Sequence, residues 1–180
     1  MTNSDVIQFI KTLYNSESVG LHPPVFLGNE KKYLDDCIDT TFVSSVGAYV
    51  DKMEEMVASY TGAKKAVVCV NGTMALYFSL RFVGVEPGEE VITQPLTFIA
   101  TANAISYCYA NPVFLDVDEE TIGLSPVAVE NWLKNKCEIR NGVCFNKETG
   151  NKVKAVVPMH TFGHPAKLDE LVKICQEWNL

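Results

Sequence analysis

The chain has 180 residues, of which 47% are apolar and 10% aromatic, and a formal charge of −7. That is enough apolar side chain for one domain with a real core, or for part of something larger, and it excludes a disordered tail. An acidic balance with no visible basic face argues against nucleic acid as a partner, and no apolar stretch reaches membrane-spanning length.

The N-terminal stretch Met1-Thr2-Asn3-Ser4-Asp5 has no basic segment and no apolar run behind it, so no signal peptide is expected. Six cysteines (Cys37, Cys69, Cys108, Cys137, Cys144 and Cys175) lack paired spacing. The expectation is a cytoplasmic, reduced protein in which Cys69, Cys108 and Cys175 serve as small core hydrophobes.

In chain order, the spacing of Val6, Ile7, Ile10, Leu13 and Tyr14 predicts an amphipathic helix over residues 4–15. A loop with Pro23-Pro24 follows, then a helix capped by Asn29 with Tyr33, Leu34, Cys37 and Ile38 on one face. After the irregular Phe42-Val43-Ser44-Ser45-Val46-Gly47, a third helix carries Val50, Met53, Val57 and Tyr60 and ends at Gly62. Residues 1–62 thus read as an N-terminal helical segment, and 63–180 as the start of an α/β domain.

Beyond Gly62, apolar strands are predicted at 66–70, 91–93, 113–117 and 155–158. Helical patterns follow them at 73–82, 98–109, 126–134 and 167–178. Ser125 caps the third of these helices, with Pro126 at its first position. Buried strands alternating with helices imply a mainly parallel sheet. The polar stretch 136–152, with turn signals at Asn141-Gly142 and Thr149-Gly150, reads as a hairpin insertion.

In such sheets ligands bind at the carboxyl ends of the strands, where Asn71-Gly72-Thr73 and Pro95-Leu96-Thr97 fall. A strand turning through Gly72 into a helix leaves the first backbone N–H groups free and aims the positive helix end outward, which suits a phosphate. No Walker lysine and no spaced dinucleotide glycines are present, so backbone N–H groups and the Thr73 hydroxyl would hold it. Phe98 reads equally well as a ring that stacks on a flat cofactor or as a core aromatic. Asp116 and Asp118 close a strand as substrate, capping or solvated carboxylates. His160 and His164 have the gap of a zinc pair, but Gly163 and Pro165 argue for a loop and no third ligand is evident, so no metal is expected. His160 is an active-site contact or a capped structural histidine; Ser44, Ser45 and Gly47 are a substrate loop or a linker.

The segments Phe42–Gly47, Val70-Asn71-Gly72-Thr73-Met74-Ala75-Leu76, Pro95–Ile105 and Val157-Pro158-Met159-His160-Thr161-Phe162-Gly163 resemble the DegT/DnrJ/EryC1/StrS family of sugar aminotransferases. Their order and spacing agree over nearly the whole chain. The insertion around Cys137-Glu138-Ile139-Arg140-Asn141-Gly142 further resembles its LegC branch. The resemblance implies a truncated type I aminotransferase large domain and pyridoxal 5′-phosphate (PLP) as cofactor. It implies a phosphate cradle at Gly72, Thr73 and Met74, with the Thr73 and Met74 amides as donors, and Phe98 against the pyridine ring. Thr97 and Thr101 would shape the pocket, His160 would face the cofactor, and Ser44, Ser45 and Gly47 would line the substrate side.

It also implies what this chain lacks. Family members are roughly twice this length, beyond the usual single-domain size. They carry an Asp that pairs with the pyridine nitrogen and a Schiff-base Lys, and no lysine from Lys11 to Lys173 has a comparable setting. The expected function is the N-terminal portion of a homodimeric enzyme that moves an amino group, from an amino acid such as glutamate, to a nucleotide-linked keto sugar for surface-glycan or nonulosonic acid synthesis. This chain alone is expected to be inactive. A sugar dehydratase of the same family, and a noncatalytic remnant or partner subunit, are the alternatives.

Overall fold

The computed structural model describes residues 2–20 and 23–180; Met1 of the N-terminal stretch lies outside them. The chain divides into two compact units, Met1–Ala66 and Val67–Leu180.

The first unit holds helices α1 (Asn3–Tyr14), α2 (Glu30–Asp39) and α3 (Ala48–Thr61). Thr2 and Asp5 form a reciprocal capping box that starts α1, and Asn15 ends it in the left-handed region. Asn29 precedes α2 without a side-chain capping bond, and the Glu30 carboxylate accepts the Gly28 N–H at 2.9 Å. Gly62 (φ 74°) closes α3, as its position in the sequence predicts. None of the described residues in this unit is buried. Its order rests on local contacts, such as Tyr49 Oη donating to Asp36 at 3.0 Å.

The second unit is a three-layer sandwich. Strands β1 (Glu90–Thr93), β2 (Asn111–Phe114) and β5 (Val153–Val157) form a parallel sheet in the order β2-β1-β5. Helices α4 (Gly72–Phe82), α5 (Ile99–Tyr107), α6 (Pro126–Lys136) and α7 (Leu168–Trp178) supply the layers. The pleat turns neighbouring residues of β1 to opposite faces. Val91 therefore packs with Leu80, Ala104, Ile105 and Ala155, while Ile92 packs with Leu124, Val129, Leu133, Leu171 and Ile174. The insertion is a hairpin of β3 (Cys137–Arg140) and β4 (Val143–Asn146), turned by Asn141 and Gly142 with positive φ at both. Its buried Cys137 and Cys144 join the core, and burial pushes the Cys137 thiol up to about 12. No described helix is long and apolar enough to cross a membrane.

Three further expectations need correction. Residues 66–70 belong to no strand of the sheet, and Val67 and Val70 remain 78% and 86% exposed. Cys69 and Cys175 are only half-buried, so of the three expected core cysteines Cys108 alone is buried. The second parallel strand also ends at Phe114 and not at 117, since its ladder partner β1 stops at Thr93.

Beyond β2, Asp118 organises a tight turn, accepting from the Thr121 N–H at 3.0 Å and from Lys167 Nζ at 2.9 Å. The Lys167 ammonium, helped by the Thr121 N–H, holds the Asp118 carboxyl below the usual carboxylate range.

Ile92→Ala removes a fully buried side chain and lowers the unfolding free energy by about 2–5 kcal/mol in denaturant titrations. Val67→Ala changes it by less than about 0.5 kcal/mol, the range of exposed sites. Because Asp118 has a depressed folded pKa, its contribution is present above its unfolded value of about 3.9 and is lost as pH falls through the folded one. Urea midpoints measured from about pH 6 down to about pH 2 therefore fall less steeply in Lys167→Met than in the parent chain.

Candidate functional site

Parallel pairing sends β1 and β5 out of the sheet at the same edge, so the segments after Thr93 and Val157 emerge side by side. There the Thr97 hydroxyl lies 2.8 Å from that of Thr101 and donates to Met159 Sδ at 3.0 Å. His160, the next residue, accepts the Ala166 N–H on Nδ1 at 3.1 Å. A backbone N–H can only donate, so the neutral imidazole carries its proton on Nε2.

Phe98 sits at the N-cap of α5 with 73% of its surface exposed. Within this chain, therefore, Phe98 is not a core aromatic. Thr101 is buried one turn into α5.

Gly72 to Met74 form the first turn of α4, which packs on α5 through Leu80, Ala104 and Ile105. Asn71 caps this helix: its Oδ1 accepts the Met74 N–H at 2.9 Å. The Met74 amide is thus engaged within the chain, while the N–H groups of Gly72 and Thr73 have no partner among the described residues. A Cβ placed on Gly72 would meet no protein atom within 4 Å, and its φ lies outside the left-handed region. Neither backbone geometry nor packing demands glycine there, and the space before the free amides is open.

Ser44, Ser45 and Gly47 belong to the first unit. Ser44 Oγ accepts the Val46 N–H at 3.3 Å, and Gly47 is the N-cap of α3. Within that unit a cavity of about 530 Å³ is lined by Leu34, Phe42, Val43, Ser44, Gly47 and Tyr49, among others.

Residues that the motifs did not reveal hold the second unit's turns together. Gln94 is fully buried directly after β1. Its Nε2 donates to the Leu96 carbonyl at 2.9 Å, the Thr161 hydroxyl at 3.1 Å and the Ile122 carbonyl at 3.3 Å, while its Oε1 accepts the Met159 N–H at 3.2 Å. Gly123 packs directly on Ala166, where a Cβ would come within 2.8 Å of the alanine methyl. The one sequence signal was an amide side chain directly after the apolar strand residues, in Val91-Ile92-Thr93-Gln94-Pro95.

This arrangement of sheet and turns has counterparts among known proteins. The chain is 35% identical over 162 residues to GDP-perosamine synthase of Caulobacter vibrioides, covering 90% of this chain and 39% of that relative. It therefore spans about two fifths of the relative's length. An aminotransferase from Psychrobacter cryohalolentis superposes with a TM-score of 0.72 at 27% identity, covering 89% of this chain and 37% of that one. DesV of S. venezuelae, solved in complex with a ketimine intermediate, gives 0.65 at 28% identity, covering 83% and 37%. The fold is thus part of the α/β fold of PLP aminotransferases, and PLP is the cofactor of the family. The family model matches residues 27–180, and the chain belongs to the DegT/DnrJ/EryC1/StrS aminotransferase family.

Proposed function

We propose that this chain is the phosphate- and ring-binding portion of a PLP-dependent nucleotide-sugar aminotransferase. The observation that carries the reading is Gly72. It is a glycine that the fold does not need, with open space and two uncommitted amides at the positive end of a helix. The residues present fit the cofactor. The Gly72 and Thr73 amides and the Thr73 hydroxyl hold its phosphate, and Met74 joins them when the Asn71 carboxamide turns away. The exposed face of Phe98 lies against the ring, with Thr97 and Thr101 fixing the turn behind it. His160 offers its Nε2–H as a donor. When bound, PLP supplies the electron sink that side chains cannot.

The substrates in this reading are a nucleotide-linked keto sugar and an amino-acid donor such as glutamate, with Ser44, Ser45 and Gly47 on the sugar side. It places the enzyme in the cytoplasm, on a surface-glycan pathway. The full-length enzyme is a homodimer, which accords with a first unit whose described residues are all at least partly exposed. The chain alone does not transaminate, because the Schiff-base lysine and the pyridine-pairing carboxylate are not among its motifs. The reading of this chain as a piece that needs a complementing partner has its own support. The outer edge of β5 is unpaired among the described residues, and a groove of about 610 Å³ runs beside it, lined by Leu76, Leu80, Val83, Val156 and Val157 among others.

Amide NMR on the isotope-labelled chain tests the reading. Titrated pyridoxal 5′-phosphate moves the Gly72 and Thr73 resonances. Gly72→Ala raises the stability of the free chain by roughly 0.4–1 kcal/mol, because alanine suits this helical position, yet abolishes that response. Borohydride reduction leaves no stoichiometric single-site adduct by intact mass. Silent Gly72 and Thr73 resonances, or a Gly72→Ala chain that responds like the parent, would reject the cofactor site. A stoichiometric adduct would reject the inactivity of the chain alone.

A further inference from the structure

We infer that Gln94 is a positioning residue that holds the ring-facing turn and the histidine-bearing turn in one register. The inference rests on the cofactor reading of Gly72, Thr73 and Phe98 given above.

A buried primary amide has two protons to give and two lone pairs to fill, and leaving them unmatched is costly in a dry interior. Gln94 spends its protons on three acceptors from three separate turns. Leu96 belongs to the turn that carries Thr97 and Phe98, Ile122 to the turn after β2, and Thr161 to the turn that carries His160. Its oxygen takes the N–H of Met159, whose sulfur in turn receives the Thr97 hydroxyl. The loop from 95 to 98 and the loop from 159 to 161 are therefore joined twice: once through the Gln94 amide, once through Thr97 and Met159.

Ile122 is part of the same junction. It is β-branched and held at φ 56°, a conformation such residues rarely adopt. That twist presents its carbonyl to Gln94 and to the Thr161 hydroxyl at 2.8 Å, and its N–H bonds the Asp118 carbonyl at 2.8 Å. Strain of this kind persists only where the surroundings over-determine it. The chemistry is also specific for glutamine. A glutamate keeps the acceptor for Met159 but turns a bare oxygen toward the Leu96 carbonyl. A leucine fills the space and bonds neither turn.

Three labelled 180-residue chains separate positioning from plain stability: Gln94→Glu, Gln94→Leu and, as an equally buried control outside the turns, Val129→Ala. Without cofactor, exchange of the Met159 amide accelerates roughly tenfold or more beyond the global change in Gln94→Leu, and stays with the global change in Gln94→Glu and Val129→Ala. With pyridoxal 5′-phosphate added, the response of Phe98 falls about fivefold or more in both Gln94 variants, while Gly72 and Thr73 still respond; Val129→Ala behaves like the parent. Should Gly72 and Thr73 respond in every chain and Phe98 respond equally in parent and Gln94 variants, the positioning role is wrong although the cofactor reading stands. Should Gly72 and Thr73 stay silent in the parent chain, the cofactor reading fails and the role falls with it. The Gln94→Glu chain keeps the test decisive if Gln94→Leu does not fold.

Discussion

The second unit depends on β1 being hydrogen-bonded on both sides in parallel, to β2 and to β5. A central parallel strand must be apolar on both faces, since crossover helices cover each of them. All four residues of β1 are buried, and Val91 and Ile92 each anchor one of the two cores. Parallel pairing has a second consequence: every strand leaves the sheet at the same edge. The turns after β1 and β5 are neighbours because of strand direction, before any side chain contributes.

What side chains add is the spacing between those turns. The carboxyl edge of a sheet is where backbone groups lose their ladder partners, so polar side chains must replace them. Thr93 Oγ1 donates to the Val157 carbonyl at 2.9 Å, and Gln94 takes over one residue further on. On the far side, the Lys167 ammonium ties the Asp118 turn down, and the contact of Gly123 with Ala166 brings up the N–H that orients His160. The left-handed Ile122, at a cost of roughly 1–2 kcal/mol for a residue of its type, sits amid these contacts. Several individually modest bonds offset a strained turn and leave its carbonyl facing inward.

Much of this was legible in the sequence. The helix start at Ser125, the stop at Gly62 and the Asn141-Gly142 hairpin follow from local chemistry that tertiary structure does not override. The alternation of apolar strands and helices likewise identifies the parallel sheet. The apolar run 66–70 misled because composition reports what a strand could be, and pairing decides whether it becomes one. Asn29 misled because its backbone, at φ −96° and ψ 14°, is not in the extended conformation from which a cap side chain reaches the first helical amides. In the candidate site, Phe98 could be placed at a helix start but its exposure could not. The role of Gln94 could not be read even though an amide at a strand end was visible: its partners, Leu96, Ile122, Met159 and Thr161, are up to 67 positions away, and no local pattern encodes such a meeting.

The engaged Met74 amide bears on how a phosphate could be received at α4. A side-chain N-cap is worth about 1 kcal/mol, and an anion at a helix N-terminus typically gains 0.3–1 kcal/mol, up to about 2 in partly buried settings. The two are comparable, so Asn71 does not block the helix end; it satisfies one donor while Gly72 and Thr73 keep theirs. A phosphate arriving at two free amides can displace the carboxamide from the third at little net cost, since the Met74 N–H exchanges one acceptor for another. Asn71 turned toward solvent loses its own bond but stays exposed, where water replaces it. The capped helix is thus compatible with both states. The absence of a side chain at Gly72 is what keeps the second one sterically open.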